Sequence, residues 1–408
     1  MKSFKGVVAA LLCFAAFSGQ ALAGTINHDL KISGEYELYY IYDDTTMTDE
    51  EDNEKSYLEH EFDLKFKLDI GENVTMGGKM EYADSTLGED DHALGKDNKI
   101  DVETAYIKAK FAPLTFTGGK FSYAFPSVFD GSPILDDEGT GVDFDFGPVS
   151  AGMLRADDFG EKTEDKNDIF YIKGRFDSGS MKINPYIAYQ TQGEKGEVDG
   201  YDGDDAAYSS FWIGTSFEME AGSLNFLADL VYGSRSYSDK ALESMDESGL
   251  FLDAAVEMKM DSMTPTAFLI YSTGNDDDNK EHETIPVISS DYEPLNIFGN
   301  GDRQSEIDLI GGLAGIGLGV KKLGFVPNLT HDIIFFYAIG TNDEKSGEYF
   351  TDKDSAMELD FNSVYKLMDN FKIHAKLGFS SVDLDEKVHG DVDDEAGLYC
   401  EFGLEFDF

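Results

Sequence analysis

The residues with the most chemical potential in this chain are its carboxylates and lysines, and neither is spaced for catalysis. The seven histidines, at 28, 60, 92, 282, 331, 374 and 389, include no pair at metal-ligand spacing. No serine occupies a Gly-x-Ser-x-Gly elbow, and "GTGVDFDFG" (139–147) reads as a hairpin with glycines whose Asp143 and Asp145 lie on a polar face. The acidic stretches "DGYDGDD" (199–205) and "NDDDNKE" (275–281) lack the sixth-position glycine and twelfth-position glutamate of a dedicated calcium loop. The expectation is a non-enzyme with no cofactor and no dedicated metal site. What stands out is a lysine cluster: Lys65 and Lys67, then Lys79, then Lys108 and Lys110, each on the polar side of an alternating strip. Lysines on one wall facing carboxylates would set a transverse field, which orders water and favours small dipolar solutes. The competing reading is that these lysines neutralise neighbouring carboxylates such as Glu59, Asp63, Asp101 and Glu103.

Bulk composition narrows the classes further. The formal net charge is −49, from 81 acidic and 32 basic residues, so binding to a nucleic acid backbone is excluded by repulsion. With 31 Phe and 21 Tyr the chain is too aromatic for a disordered polyelectrolyte. Lys2 and Lys5, an apolar stretch from Gly6 to Phe17, and Ala21-Leu22-Ala23 predict a secretory signal peptide over 1–23. Cys13 falls inside it, which leaves Cys400 alone and no intramolecular disulfide. Cys400 sits on an apolar strand face, where it reads as a small hydrophobe. The longest apolar run, "LIGGLAGIGLGV" (309–320), is short of the roughly twenty residues a spanning helix needs.

Period-two strips instead recur from end to end. In "LEHEFDLKFKLDI" (58–70), Phe62, Leu64, Phe66, Leu68 and Ile70 oppose Glu59, Glu61, Asp63, Lys65, Lys67 and Asp69. Similar strips lie at 30–42, 73–84, 99–111, 114–123, 139–146, 149–157, 167–177, 180–191, 207–219, 223–234, 248–261, 264–274, 305–321, 329–340, 354–367, 370–382 and 394–408. That predicts eighteen strands, or sixteen if 139–146 and 149–157 are not separate spans, and no amphipathic helix. Connectors alternate between tight turns, such as Gly71-Glu72 and Ala112-Pro113, and long acidic loops. Five of those loops (43–56, 85–98, 192–206, 275–304, 383–393) hold 30 acidic residues against 6 basic. A soluble β-sandwich also alternates, but it explains neither this rim asymmetry nor the charges on nearly every polar face. The pattern predicts an all-β fold: a transmembrane antiparallel β-barrel, one domain over 24–408, with short periplasmic turns and long extracellular loops.

The segment "AYIKAKFAPLTFTGGKFSYAFP" (105–126) resembles the strand, turn and strand before the third loop of Gram-negative trimeric porins. The signal peptide and terminal Phe408 are similar to the same family, and the Asp-rich, Arg-poor style resembles its deltaproteobacterial general porins. The resemblance implies a homotrimer in which loop three, about 124–138, folds inward with Asp130, Asp136, Asp137 and Glu138. The family's Pro-Glu-Phe-Gly-Gly run is absent from that loop. Gly119-Lys120 matches the family's Gly-basic pair, making Lys120 a candidate for the constriction wall. Alternation from Leu114 and Phe116 would aim Lys120 at lipid, so a bulge at Gly118-Gly119 is expected to turn it inward and Phe121 and Tyr123 outward.

The function expected is passive diffusion of small hydrophilic solutes and ions across the outer membrane. The acidic loops raise cation concentration within a Debye length of about 10 Å at 0.1 M salt, which predicts cation preference. Two alternatives are a substrate-selective channel with inward Tyr171, Trp212 and Tyr399 as a binding track, and a non-conducting structural or adhesive barrel. Expected partners are outer-membrane lipid and lipopolysaccharide, whose phosphates weakly shared divalent cations could bridge to the loops. Outward aromatics such as Tyr40, Phe211, Tyr232, Phe335 and Phe402 are expected to form interfacial girdles. The final strip places Phe402, Leu404, Phe406 and Phe408 toward lipid, and its closing Phe408 is expected to signal to the barrel-insertion machinery.

Overall fold

The structure is a computed structural model that describes residues 28–44, 55–87, 100–129, 131–158, 166–193, 207–276, 282–299, 307–346, 348–389 and 396–408. The expected signal peptide lies outside the described residues. The wall begins with β1 (His28–Asp44), β2 (Lys55–Ile70), β3 (Val74–Leu87), β4 (Ile100–Phe111), β5 (Leu114–Ala124), β6 (Asp136–Asp145) and β7 (Val149–Asp158). Next come β8 (Lys166–Gly174), β9 (Phe176–Asp177), β10 (Met181–Gln192), β11 (Tyr208–Ala221), β12 (Leu224–Tyr237), β13 (Glu247–Met258) and β14 (Thr264–Ser272). It ends with β15 (Leu313–Val326), β16 (Leu329–Gly340), β17 (Ser355–Met368), β18 (Phe371–Asp383) and β19 (Ala396–Asp407). β8 and β9 are two pieces of one span, both paired to β10, so the wall has eighteen spans.

Every neighbouring pair is antiparallel, and β1 pairs β19 as well as β2, which closes the barrel. At that seam Gly34 and Phe408 exchange backbone hydrogen bonds of 2.9 and 3.0 Å. Alternation explains the faces. Along β19, Leu398, Phe402 and Phe406 are exposed on the outside, while Tyr399 and Glu401 are buried on the inside. Near the tight turns the outside carries exposed Phe111, Phe146, Phe176, Met260, Phe325 and Met368, one for almost every hairpin. The strips at 139–146 and 149–157 are separate spans, so the sixteen-strand fallback is not needed.

Helix among the described residues is limited to two short turns, at Lys240–Met245 and Glu386–His389, in line with the expectation of no amphipathic helix. Two expectations are corrected. The strip at 305–321 does not begin a strand at 305: β15 starts at Leu313, after Ile307, Leu309 and Ile310 have been buried inside the barrel. The second is the bulge at Gly118-Gly119. The pairing Tyr106↔Gly119 and Lys108↔Thr117 runs on without a register shift, so Phe121 and Tyr123 face inward and are buried. Gly119 has φ +129, and a Cβ there would collide with the Ala105 carbonyl. The glycine serves a close backbone approach, and the faces of β5 never exchange.

The long-loop rim carries one pH-sensitive joint. Asp354 is fully buried, accepts hydrogen bonds from the backbone of Thr351 (2.7 Å) and Asp385 (2.8 Å), and lies 3.0 Å from His389 Nε2. Burial by itself would raise its pKa, but the donors, Asp385 first, hold it below the usual aspartate value. A depressed folded pKa stabilises above the unfolded value, about 3.9, and the gain is lost as pH falls through the folded one. The protection factors of the amides at 384–389, exchange rates taken relative to the intrinsic rate at each pH, should therefore be flat from pH 8 to 5 and fall below about pH 4, while Asp354→Asn removes that dependence.

Candidate functional site

Two connections from the long-loop end fold into the barrel instead of away from it. The first lies between β5 and β6 and is described over 125–129 and 131–135. Phe125, Ser132, Ile134 and Leu135 on it are buried. It reaches β12, where Asp229 accepts hydrogen bonds from Ser127 Oγ at 2.6 Å and from the Val128 amide at 3.2 Å. The second runs from β14 to β15 and is described over 273–276, 282–299 and 307–312. The two meet: the Ile288 amide donates to the Ile134 carbonyl (3.0 Å), Asp136 N to Ser289 O (2.8 Å), and Ser290 Oγ to Ser132 O (3.1 Å).

The wall is built to receive the second loop. Buried Trp212 donates to the Pro286 carbonyl at 2.8 Å, and Arg235 Nη2 to the Val287 carbonyl at 2.8 Å. Tyr292 OH donates to Asp253. Glu358 accepts both the Ile297 amide (2.7 Å) and the Phe298 amide (2.8 Å), and Asn296 bonds Asn362 at 2.8 Å. Backbone folded into a wall needs such partners, because unpaired buried amides are costly. Beneath the loop β15 supplies glycines at 315, 317 and 319. A Cβ at Gly315 or Gly317 would occupy the rings of Phe336 and Phe268, which stack there 5.8 Å apart. The lumen is thus filled against the inner face of β11–β17.

The opposite side is left open. A cavity of about 640 Å³ runs along β1–β8 and is bordered by Lys31, Lys65, Lys67, Lys79, Lys108 and Lys173, with Tyr106, Tyr123 and Asp143 among them. Register explains the grouping: Lys31 lies opposite Lys67, Lys65 opposite Lys79, and Lys108 opposite Thr117, all on the inner face. The lysines fall into two sets. Lys65 pairs with Glu35 (2.9 Å), Lys67 with Asp69 (3.3 Å), and Lys79 with Asp63 (2.6 Å) and Glu103 (2.8 Å). Among the described residues no carboxylate lies within 4.0 Å of the amine of Lys108 or Lys173. The Lys173 amine instead rests 4.2 Å from the centroid of the Tyr123 ring.

Four of the lysines singled out from sequence (Lys65, Lys67, Lys79, Lys108) therefore border one cavity. Lys110 lies on the same face one row closer to the short turns, opposite Thr115, and is exposed. Lys120 is elsewhere: it bonds the Val102 carbonyl (3.1 Å) and pairs with Glu138 (3.4 Å). Asp136, Asp137 and Glu138 are the first residues of β6 and not part of the inward loop, and Asp130 lies outside the described residues. Of the aromatic track, Trp212 is fully buried under the second loop, Tyr171 bonds Asp143 at 2.8 Å, and Tyr399 bonds Glu401 at 2.5 Å. Lys31 and Lys173 were readable as polar-face residues of their strips. No local signal marks Asp229, Asp253 and Glu358 as loop anchors.

No protein-family model matches the chain, and no curated protein matches it. Solved structures do. OccAB3 of Acinetobacter baumannii is 12% identical, covering 93% of this chain and 99% of its own, with a TM-score of 0.60. A BenF-like porin from Pseudomonas fluorescens gives 12%, 93%, 99% and 0.60. OpdK of Pseudomonas aeruginosa, solved with vanillate, gives 13%, 93%, 98% and 0.57. At this identity the likeness establishes the fold.

Proposed function

We propose that the chain is an outer-membrane channel through which small hydrophilic solutes pass without energy input, and that its narrowed passage selects small organic anions. The observation that carries this reading is the division of the lumen. Two inward loops occupy one side, and the side left open is bordered by six lysines, two of them without a carboxylate at pairing distance among the described residues. An apolar outer face with aromatics near the tight turns supports the membrane setting. Vanillate, solved with OpdK, is a small aromatic carboxylate, a class that lysines beside Tyr106 and Tyr123 would suit. The acidic loops still favour cations at the mouth. The passage acts in series with that mouth, and the narrower element decides which ion crosses.

Planar bilayers test the reading. A salt gradient across a bilayer holding the purified protein should give a reversal potential on the anion-selective side, and vanillate should block the current saturably. A cation-selective potential without block would return the general, cation-preferring porin. Absence of any open-channel current would leave the non-conducting barrel.

A further inference from the structure

Four carboxylates gather on the inner wall just beyond the lysines. Asp63 on β2 and Glu81 on β3 lie opposite each other, two residues further from the tight turns than the Lys65–Lys79 row. The register shift between Lys79 and Glu81 in the β3–β4 pairing brings Glu103 alongside, and Glu61 completes the group. Each offers one oxygen, and these atoms all lie within 4.8 Å of one another. Among the described residues the Lys79 amine reaches three of them, at 2.6 Å from Asp63 Oδ2, 2.8 Å from Glu103 and 3.7 Å from Glu61. Lys65, 3.9 Å from Asp63, is held by Glu35 at 2.9 Å.

Crowded carboxylates alone would be no more than a solvated wall. A second observation singles this group out. The Asp63 side chain is only 5% exposed, and its Oδ1 is buried without a hydrogen-bond partner among the described residues. A bare carboxylate oxygen at that depth is costly, and Lys79 already serves the other oxygen. Oxygens up to 4.8 Å apart fit around one ion at about 2.4 Å, the calcium–oxygen distance, whereas magnesium, at about 2.1 Å, demands a tighter set. We propose that Glu61, Asp63, Glu81 and Glu103 hold one calcium ion, with Asp63 Oδ1 as its buried ligand, and that this ion lets anions reach the lysine wall. No contiguous motif announces the site, because its ligands come from three strands.

The second half of the proposal rests on the anion-selective reading of the channel. Four carboxylates and Lys79 sum to a charge of −3 on the approach from the long loops, and calcium brings that to −1. The ion stands about 7 Å from the Lys65–Lys79 row, two residues at roughly 3.3 Å each. At that distance two units of charge raise the occupancy of a passing anion about sevenfold and lower that of a cation about sevenfold.

Calcium binding is measured by titration calorimetry on full-length, chelator-treated protein in mild detergent. The expected result is one ion per chain, bound roughly a hundredfold more tightly than the background of the acidic loops. Asp63→Asn should abolish that site. Glu61→Gln, on a side chain 32% exposed, should weaken it about tenfold, and Asp69→Asn near the tight turns should leave it intact. Phosphatidylcholine bilayers in a salt gradient then read selectivity. Replacing calcium by EDTA should lower the anion-to-cation ratio roughly fiftyfold, and Asp63→Asn should show no such calcium dependence. A chain that binds no ion above the loop background, or whose ion survives both Asp63→Asn and Glu61→Gln, overturns the proposal and leaves Lys79 as the cluster's only cation. An anion-selective potential that is the same in calcium and in EDTA overturns the role of the ion in the passage. A tight calcium site with cation selectivity at every calcium concentration removes the anion reading and leaves the site standing.

Discussion

Replacing residues 285–298 by a short Gly-Ser linker is expected to raise single-channel conductance roughly twofold, because ohmic flow follows open cross-section and the loops occupy about half the wall. The excised stretch carries Tyr292, Ile297 and Phe298, all buried, so the variant also loses part of the interior packing and should melt earlier. A gentler version acts on one anchor. Glu358→Ala leaves the Ile297 and Phe298 amides without their acceptor, at a cost of roughly 1–3 kcal/mol for each buried group. That is enough to populate a detached loop, so Glu358→Ala should show flickering between the native conductance and the larger one. Conductance unchanged by the excision would show that the loop does not narrow the passage.

This prediction rests on the part of the molecule that the sequence conceals. Alternation locates the spans because a wall between oil and water needs only apolar side chains outward and tolerant ones inward. It therefore reads "LEHEFDLKFKLDI" correctly from either end. The same tolerance hides the plug. Asp253 and Glu358 look like wet-lumen carboxylates, yet each receives a donor from a loop that lies more than thirty residues away in sequence. The run at 307–313 continues the apolar pattern of β15 without interruption, and only the turn at Gly312, φ +108, separates buried loop from wall. Loop three was legible through its resemblance to the trimeric porins, and its inward path is seen over 125–129 and 131–135. Its acidic end was not, since Asp136 through Glu138 are drawn into β6 by pairing with Ala124, Tyr123 and Ser122. The Gly118-Gly119 pair shows the limit of reading glycines: a bulge and a close approach call for the same residue.

Charge reversal on the open wall is the sharper test of selectivity, because it leaves the barrel and both loops in place. Among the described residues Lys108 and Lys173 have no carboxylate within pairing distance, so reversing them breaks no ion pair there, whereas Lys79→Glu would leave Asp63 and Glu103 facing a third carboxylate. A unit charge 5 Å from a passing anion contributes roughly 0.8 kcal/mol in a water-like medium. Reversing its sign changes the interaction by about twice that, or roughly tenfold in occupancy. Lys108→Glu or Lys173→Glu should therefore lower anion occupancy and raise cation occupancy about tenfold each, moving the anion-to-cation preference roughly a hundredfold toward cations, and abolish saturable block by an aromatic carboxylate. Lys120→Glu, acting on a residue held by Glu138 away from the cavity, should leave both readouts unchanged. If Lys120→Glu shifts the reversal potential and Lys108→Glu does not, the lysine wall does not set the selectivity.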